Sequence, residues 1–384
     1  MKSSFGTNFT LTIFGESHGP AVGFVLDGLP AGIQLDLDRI RAELTKRRPA
    51  GRISTQRQEA DEFRFLSGYY DGHTTGTPLT LMIENKSQHS KDYEKMKYLP
   101  RPSHADFTAF AKYGGFQDAR GGGHFSGRVT TGLVAAGAIF EQILSDHGIR
   151  IGTHIKSCQS ICDRDFNWDA LEVDLAALDS PAFPVLDAES GARMTKLIED
   201  AASRGDSVGA VLETAISGLP AGIGEPFFHS VESELSALLY SVPAVKGVQF
   251  GLGFGFAGLF GSRANDAIEG IENGRLVTRT NHNGGVNGGI TNGMPVVFST
   301  AVKPTPSIYQ EQDTINLRTN QPEKLVIEGR HDPAIFHRAR CVIDAAAAIG
   351  LCDLMMGRYG YLWARKEERI DRRKAGAQLF QSDP

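Results

Sequence analysis

The sequence predicts an α+β fold in which helices pack against antiparallel sheets. Strand-like apolar runs outnumber helical patterns along the 384 residues. The hexapeptide Gly-Leu-Pro-Ala-Gly-Ile occurs at 28–33 and again at 218–223, an offset of 190 residues. Because each copy follows a strand-like run and precedes a helical pattern, the chain contains two similar strand–loop–helix units, which are typical of an α+β domain.

The first unit begins with two apolar runs, at 9–13 and 22–26, that predict neighbouring strands. Between them, residues 14–19 read Phe-Gly-Glu-Ser-His-Gly. After the hexapeptide, apolar residues recur at intervals of three and four and predict a helix over 37–48, which Pro49 ends.

The second unit repeats these landmarks in the same order. Residues 208–212 are strand-like, and apolar residues over 231–239 follow helical spacing. The other matching landmarks are residues 75–79 and 292–296, which open strand-like runs, and Arg128 and Arg338, which precede alanine-rich helices.

These matches predict an internal duplication with a pseudo-two-fold axis. We expect a single domain over 1–384, built of two similar halves at about 1–150 and 207–360. The connector, 151–206, is more acidic and less periodic, although its apolar side chains suit docking on the halves. The alternative is that the hexapeptide match is a coincidence between two loops.

Composition places the chain among ordinary globular proteins, with 41% hydrophobic and 22% charged residues. The net charge of −5 disfavours nonspecific binding to nucleic acid, and no apolar run is long enough to span a membrane. The first residues lack the apolar core of a signal peptide, and no paired metal-ligand spacing indicates a metal site. We therefore predict a soluble cytoplasmic protein with reduced thiols at Cys158, Cys162, Cys341 and Cys352.

His18 is the first candidate for chemistry. It lies between glycines at the end of a predicted strand, where a side chain can be presented to a pocket. An imidazole exchanges a proton near neutral pH. Considered alone, a histidine in this setting is more often a turn residue than a catalyst.

Arginines crowd the first third of the chain. Arg47 and Arg48 end the predicted helix, where cations meet the negative end of its dipole, and this alone explains them. Arg52 and Arg57 lie beyond Gly51 in a polar segment, where bidentate contacts to an anion are easily built. The two interpretations, helix end and anion site, remain open at this point.

Two further segments of the first half carry candidate groups. Residues 101–106 place His104 beside an arginine and Asp106, which either orients the ring or caps a helix. Residues 120–128 read Arg-Gly-Gly-Gly-His-Phe-Ser-Gly-Arg before a predicted helix, a pattern typical of a phosphate cradle. The segment matches no Walker pattern, which argues against a P-loop nucleotidase.

The second half adds three segments. Residues 281–289 are rich in asparagine and glycine, whose backbone N–H groups suit a ligand rich in oxygens. Residues 303–307 read Lys-Pro-Thr-Pro-Ser, and residues 329–333 offer a cation, an imidazole and a carboxylate in sequence.

Together these segments resemble one family, the chorismate synthases, over about residues 5–360. The matching motifs occur in the family's order at 14–19, 27–28, 47–49, 55–57, 101–106, 120–128, 303–307 and 329–333. The resemblance implies a β-α-β sandwich with internal duplication. It also implies the anti-1,4-elimination of phosphate from 5-enolpyruvylshikimate 3-phosphate, which gives chorismate in the shikimate pathway.

The same resemblance implies a requirement for reduced FMN without net redox change, a homotetramer, and NADPH as a candidate reductant. No reductase domain is visible, so we expect an external flavin reductase. The implied catalytic residues are His18, His104 and Asp332. The implied flavin ligands are His124, Phe125, Ser126, Ala244, Gly288, Lys303, Pro304, Thr305, Pro306, Ser307 and Arg330. The implied substrate ligands are Arg47, Arg52, Arg128 and Arg338.

The chain departs from the family pattern at several positions. His124 and Phe125 stand where arginine and serine are usual, and Gly127 stands in place of alanine. Pro243 replaces a common asparagine, and Asp344 a common glutamate. These changes motivate an alternative, a flavin- or anion-binding protein on the same scaffold without turnover. A true flavin oxidoreductase is a third hypothesis.

Overall fold

The computed structural model describes residues 3–48, 53–54, 61–86, 98–179, 182–327 and 331–365. Within them, two five-stranded antiparallel sheets enclose a layer of helices. The predicted α+β class is confirmed, with helices between antiparallel sheets.

The first sheet and a small hairpin come from the first part of the chain. Their strands are β1 (Ser4–Phe5), β2 (Thr10–Gly15), β3 (Ala21–Asp27), β4 (Phe63–Ser67), β5 (Tyr69–Tyr70), β6 (His73–Thr74) and β7 (Leu79–Glu84). The order in the sheet is β1-β2-β3-β7-β4, and β5 pairs with β6.

The second sheet has the order β9-β8-β10-β16-β11. The remaining strands are β8 (Arg150–Cys158), β9 (Ile161–Cys162), β10 (Ala210–Ser217), β11 (Val245–Phe250), β12 (Ile268–Glu272), β13 (Arg275–Thr278), β14 (Val286–Asn287), β15 (Ile290–Thr291), β16 (Val296–Val302), β17 (Gln312–Asn316) and β18 (Gln321–Leu325). Six of these strands lie outside the sheet and form the hairpins β12–β13, β14–β15 and β17–β18.

Eight α-helices occur in the described residues. They are α1 (Leu37–Lys46), α2 (Asp106–Tyr113), α3 (Thr130–Asp146), α4 (Leu171–Ala177), α5 (Ala188–Ser203), α6 (Val231–Leu239), α7 (Gly261–Ala264) and α8 (Phe336–Tyr359). The Asp36 carboxylate caps α1 by accepting from the N–H groups of Asp38 and Arg39. This helix ends two residues before the predicted limit at residue 48.

The core is built around α3 and α8, which cross between the sheets. Helix α3 lies on β3 and β7, whereas α8 lies on β8 and β10. Both helices are buried on nearly every face, because apolar and small residues surround them. At the crossing, a Cβ built on Gly137 would lie 2.2 Å from the Cβ of Ala345. Only glycine at this position allows the helices to approach so closely.

The two hexapeptide loops make the same hydrogen bonds. Thr74 Oγ1 accepts from the N–H of Ile33 at 3.0 Å and donates to the carbonyl of Pro30 at 2.7 Å. Thr291 makes the matching bonds to the second loop at 2.9 and 2.7 Å. The loops also follow β3 and β10, which occupy the central position of their sheets. This shared bonding supports the proposal of two similar halves.

The connector range 151–206 begins inside β8, a strand of the second sheet. Further on, Leu171 and Leu175 are buried against Ala215 in a small separate core. Trp168, in contrast, is 49% exposed. The connector therefore docks on the outer face of the second sheet through its leucines.

A buried ion cluster holds the connector to this sheet. His154 is fully buried, and its Nδ1 and Nε2 donate to Asp163 at 2.7 Å and to Glu213 at 3.2 Å. Asp163 also accepts from the N–H groups of Leu186 and Asp187. Burial opposes the charge on the ring, but the hydrogen bonds to the two carboxylates outweigh it and raise the pKa of His154.

We expect the stability supplied by this cluster to fall as pH rises. Because the folded pKa of His154 exceeds the unfolded one, the contribution is fully present below about pH 6.5 and is lost as pH passes the folded pKa. Urea unfolding of the wild type and His154→Gln between pH 6 and 9 checks this. The difference in unfolding free energy should shrink with pH, and a constant difference would contradict the assignment.

No helix in the described part of the chain combines the length and the apolar character needed to cross a bilayer.

Candidate active site

His104 lies just before α2 and is oriented by a carboxylate. Its Nδ1 donates to Asp106 Oδ1 at 2.7 Å. Arg101 binds the same carboxylate in bidentate fashion, with both N···O distances at 2.8 Å. Since Nδ1 carries the hydrogen in this bond, Nε2 is the nitrogen left for a ligand.

Asp106 therefore orients the ring, which was one of the two interpretations of this residue. It makes no capping hydrogen bond at the start of α2. Burial raises its pKa, but hydrogen bonds from Arg101 and His104 outweigh burial and hold the pKa well below its usual range. The carboxylate is thus ionised at any pH at which the protein works.

A cleft lies beside His104. Its lining includes Arg101, Phe110, Gln117, Phe125 and Leu317. Gln117 Oε1 is buried and has no hydrogen-bond partner among the described residues. An unpaired buried acceptor next to an oriented imidazole indicates a place for a polar ligand.

His18 reaches the same region through Gly121. The His18 ring is buried, and its Nδ1 lies 3.2 Å from Ser17 Oγ. A Cβ built on Gly121 would lie 2.5 Å from His18 Cε1, and Gly121 itself has a φ of +68°. The carbonyl of Gly121 accepts from Arg101 at 3.1 Å. One glycine therefore contacts both the His18 ring and the Arg101–His104 group.

The glycine-rich loop is pinned to the end of β2. The N–H of Ser17 donates to the carbonyl of Gly123 at 3.1 Å. His124 Nδ1 donates to the carbonyl of Gly15 at 2.8 Å, so this imidazole anchors the loop. Phe125 lies edge-on to Tyr113.

At the end of the loop, Ser126 Oγ accepts from the N–H of Arg128 at 3.2 Å, directly before α3. The loop therefore leads from the His18 turn into a second group of cationic residues. This arginine cluster consists of Arg47, Arg128 and Arg338 with the carboxylates of Asp61 and Asp332. Arg47 and Arg128 share the Asp61 carboxylate, and Arg338 pairs with Asp332.

Arg47 is held at the start of α3. Its guanidinium donates to Thr131 Oγ1 at 2.7 Å and to the carbonyl of Gly127 at 2.9 Å, and it lies 3.6 Å from Asp61. Burial lowers its pKa to about 10, against the opposing effect of Asp61. Arg47 therefore stays charged near neutral pH. Its position at the helix end was predicted, and its contacts place it in the cluster as well.

Arg338 lies in the first turn of α8, where it pairs with Asp332. Arg128 pairs with Asp61 and donates to Asn85 Oδ1 at 2.9 Å. The positive cluster thus sits where α3 and α8 both begin, and the amino-terminal ends of both helix dipoles add to its field.

Two residues that the sequence did not single out connect these groups. Asp61 joins Arg47 to Arg128. Asn85 donates to the carbonyls of Glu16 and Gly19 at 3.0 and 2.9 Å and thereby ties the His18 turn to Arg128. The only available signal for Asn85 was its place directly after a predicted strand.

The second half approaches from the other side. The ammonium group of Lys303 donates to the carbonyl of Ser103, next to His104. The N–H of Lys303 donates at 2.9 Å to the carbonyl of Ala244, whose φ is +73°. Ser307 is buried, and Thr305 Oγ1 is buried without a partner among the described residues.

Tyr309 continues this segment and accepts from the N–H of His331 at 3.2 Å, next to Asp332. Contacts and short stretches of chain therefore link His104, Lys303, Asp332, Arg338 and Arg128 in a series that returns to His18. Loops of both halves take part.

A family model described as chorismate synthase matches residues 9–356. The chain belongs to the chorismate synthase family. Chorismate synthases of Chitinophaga pinensis and Thermococcus gammatolerans are 44% and 43% identical to it, over 92% of this chain and 96% and 97% of theirs. That of Aeropyrum pernix is 41% identical over 98% of this chain and 99% of its own.

A solved chorismate synthase structure agrees in fold. It superposes with a TM-score of 0.73 at 26% identity and covers 98% of this chain and 100% of that chain. The predicted membership of the chorismate synthase family is confirmed. The activity is that of the family, a lyase reaction of aromatic biosynthesis that yields chorismate.

Not every residue implied by the chorismate synthase resemblance joins this series of contacts. Gly288 lies in the β14–β15 turn, and the following Gly289 packs on Ser230 before α6. This turn precedes the start of β16, whereas Lys303 follows its end. Because β16 has seven residues, its two ends are about 20 Å apart, and Gly288 and Lys303 belong to opposite ends. Arg52 and Arg330 lie outside the described residues, and their roles stay predictions.

Proposed function

We propose that the chain converts 5-enolpyruvylshikimate 3-phosphate to chorismate by anti-1,4-elimination of phosphate, with reduced FMN bound and no net redox change. The observation that carries the proposal is the series of contacts joining an oriented histidine, a buried histidine and a cationic cluster. A substrate with two carboxylates and a phosphate needs several cations and an acid that works near neutral pH.

The segments implied to bind flavin fit such a group. Thr305 Oγ1 is a buried hydroxyl without a partner among the described residues, and Lys303, two residues earlier in the chain, supplies a cation. Burial and the neighbouring Lys246 lower the pKa of Lys303. An anionic group bound there would restore that pKa and stabilise the ammonium group. Residues proposed to hold the flavin are His124–Ser126, Ala244, Gly288, Lys303–Ser307 and Arg330.

When bound, reduced FMN supplies electron density to the reacting ring of the substrate. In the proposed mechanism, His104 Nε2 donates a proton to the departing phosphate while Asp106 stabilises the ring through Nδ1. His18 would protonate or hold the bound flavin. Asp332, paired with Arg338, would help the flavin receive the proton that leaves C6 of the substrate.

The arginine cluster binds the anionic groups of the substrate. The three guanidinium groups are half-buried, and an incoming carboxylate or phosphate would form charge-assisted hydrogen bonds with them. Arg338 Nε is buried and has no partner among the described residues, which leaves a donor for the ligand. Arg52 is proposed as a further ligand on sequence grounds.

Replacing Arg338 by glutamine should raise the KM for the substrate by about 10- to 100-fold, the worth of a hydrogen bond to a charged group. The surface variant Arg193→Gln on α5 serves as the matched control and should keep the wild-type KM. Steady-state kinetics under anaerobic conditions measure both. An unchanged KM for Arg338→Gln would remove this residue from the substrate site.

An anaerobic assay with photoreduced FMN tests the proposed function. We expect chorismate and phosphate in equal amounts, with many turnovers per reduction. Flavin binding without phosphate release would favour the binding-protein alternative, and one reductant consumed per turnover would favour an oxidoreductase. NADPH added without external reduction should give no turnover, which is the result expected if a separate reductase supplies the flavin.

The exposed aromatic side chains support assembly into the homotetramer that the family resemblance implies. Phe227, Phe228, Phe254 and Phe260 each expose more than four-fifths of their surface. Large exposed apolar groups of this kind mark contact surfaces. Light scattering of the wild type and of a Phe227→Ser/Phe228→Ser variant measures the assembly, and a monomeric wild type would contradict it.

A further inference from the structure

A buried histidine–serine pair lies next to Arg338 of the arginine cluster. His337 precedes Arg338 in the first turn of α8. Its Nε2 lies 2.8 Å from Ser54 Oγ, and both residues are buried. The pair joins positions that are 283 residues apart, so it is a tertiary contact.

The imidazole is held as a neutral group. Burial, with a smaller effect from the adjacent Arg338, lowers the pKa of His337 to about 3. The ring lies between Phe183 and Phe336, with ring centroids about 6 Å away. Nδ1 is buried without a partner among the described residues, so within them the ring is hydrogen-bonded through Nε2 to Ser54 Oγ.

The position of Ser54 gives this bond a role in the site. Ile53 and Ser54 are both buried, and Ser54 contacts the first turn of α8 through His337. His337 directly precedes Arg338 in the first turn of α8, so the bond to Ser54 fixes the turn that presents the Arg338 guanidinium.

We propose that His337 is a positioning residue, which through its hydrogen bond to Ser54 fixes the first turn of α8 and so sets the affinity of the neighbouring Arg338 for the anionic substrate. The inference rests on the proposed function. His337 touches no reacting atom; it acts through Ser54 and through the neighbouring Arg338.

Kinetics of Ser54→Ala, His337→Leu and the double variant test this role. A hydrogen bond between neutral groups is worth about 0.5–1.5 kcal/mol, so each single variant should raise the substrate KM by about 2- to 10-fold, with kcat within twofold. The double variant should be no worse than the poorer single one, because both remove the same bond. His337→Gln, which keeps a side-chain donor, should return KM towards the wild-type value.

Ser203→Ala is the matched control, since it removes a serine hydrogen bond on α5 away from α8. Thermal unfolding is recorded for every variant. A fall in melting temperature with unchanged KM in Ser54→Ala would show a purely structural role and overturn the proposal. Additive effects in the double variant would overturn it as well.

If His337→Leu does not fold, Ser54→Ala and His337→Gln still test the bond from its two sides. Failure of the proposed function is distinguishable, because the wild type itself would then release no phosphate. A working wild type with unaffected variants would contradict the role of His337 alone.

Discussion

Replacing His104 by alanine is expected to lower kcat by about 100- to 10,000-fold, the usual contribution of a general acid, with a much smaller change in KM. The reason is the geometry of the ring. Asp106 accepts from Nδ1 at 2.7 Å, so Nε2 is the atom that delivers the proton to the leaving phosphate. Loss of this proton donor removes an interaction that is made mainly in the transition state.

Anaerobic steady-state kinetics with excess reduced FMN measure the effect. His73→Ala is the matched control, because the His73 side chain is exposed and its hydrogen bond within the described residues goes to the carbonyl of Asp71 in its own turn. Asp106→Asn should give an intermediate loss, since the ring stays but its orientation weakens. If His104→Ala turned over at the wild-type rate, the acid would have to be sought elsewhere.

The second large effect is expected at the helix crossing. Gly137→Val should lower the free energy of unfolding by about 3 kcal/mol or more, the upper range for overpacking a core. A Cβ at this position would meet the Cβ and Cα of Ala345 at 2.2 and 2.5 Å. Backbone atoms cannot move aside as a flexible side chain does, so α3 and α8 would have to separate.

Urea unfolding measures this loss, with Gly137→Ala expected to give a smaller one. Ala202→Val places the same side chain on the exposed face of α5 and should cost less than about 1 kcal/mol, the helix-propensity difference. Activity should fall with stability, because both helices begin at the arginine cluster. Wild-type stability of Gly137→Val would show that the helices do not cross at this glycine.

Local sequence patterns predicted the elements well because they depend on neighbouring residues. The apolar runs before the two hexapeptides became β3 and β10, and the periodic residues after them became α1 and α6. The boundaries were less accurate. Strand β10 extends to Ser217, beyond the predicted limit at residue 212, because its edges are set by pairing with β8 and β16.

The motifs predicted many of the candidate site residues, because their side-chain types suit acid–base chemistry and the binding of anions. The Asp106–His104 contact and the place of Ser126 before α3 follow from short sequence spacing. Asp61, Asn85 and His337 were not singled out as site residues. Each gains its place from a partner far along the chain, and no local pattern marks such a partner.

The sequence by itself determined the residue types, the order of strands and helices, and the membership of the family. Only the tertiary structure decided which side chains meet, because these contacts span both halves. Lys303 reaches Ser103, and Arg47 and Arg338 come together where α3 and α8 begin. The physical reason is that helix crossing and sheet pairing are set by burial of the whole core, which depends on residues remote from each contact.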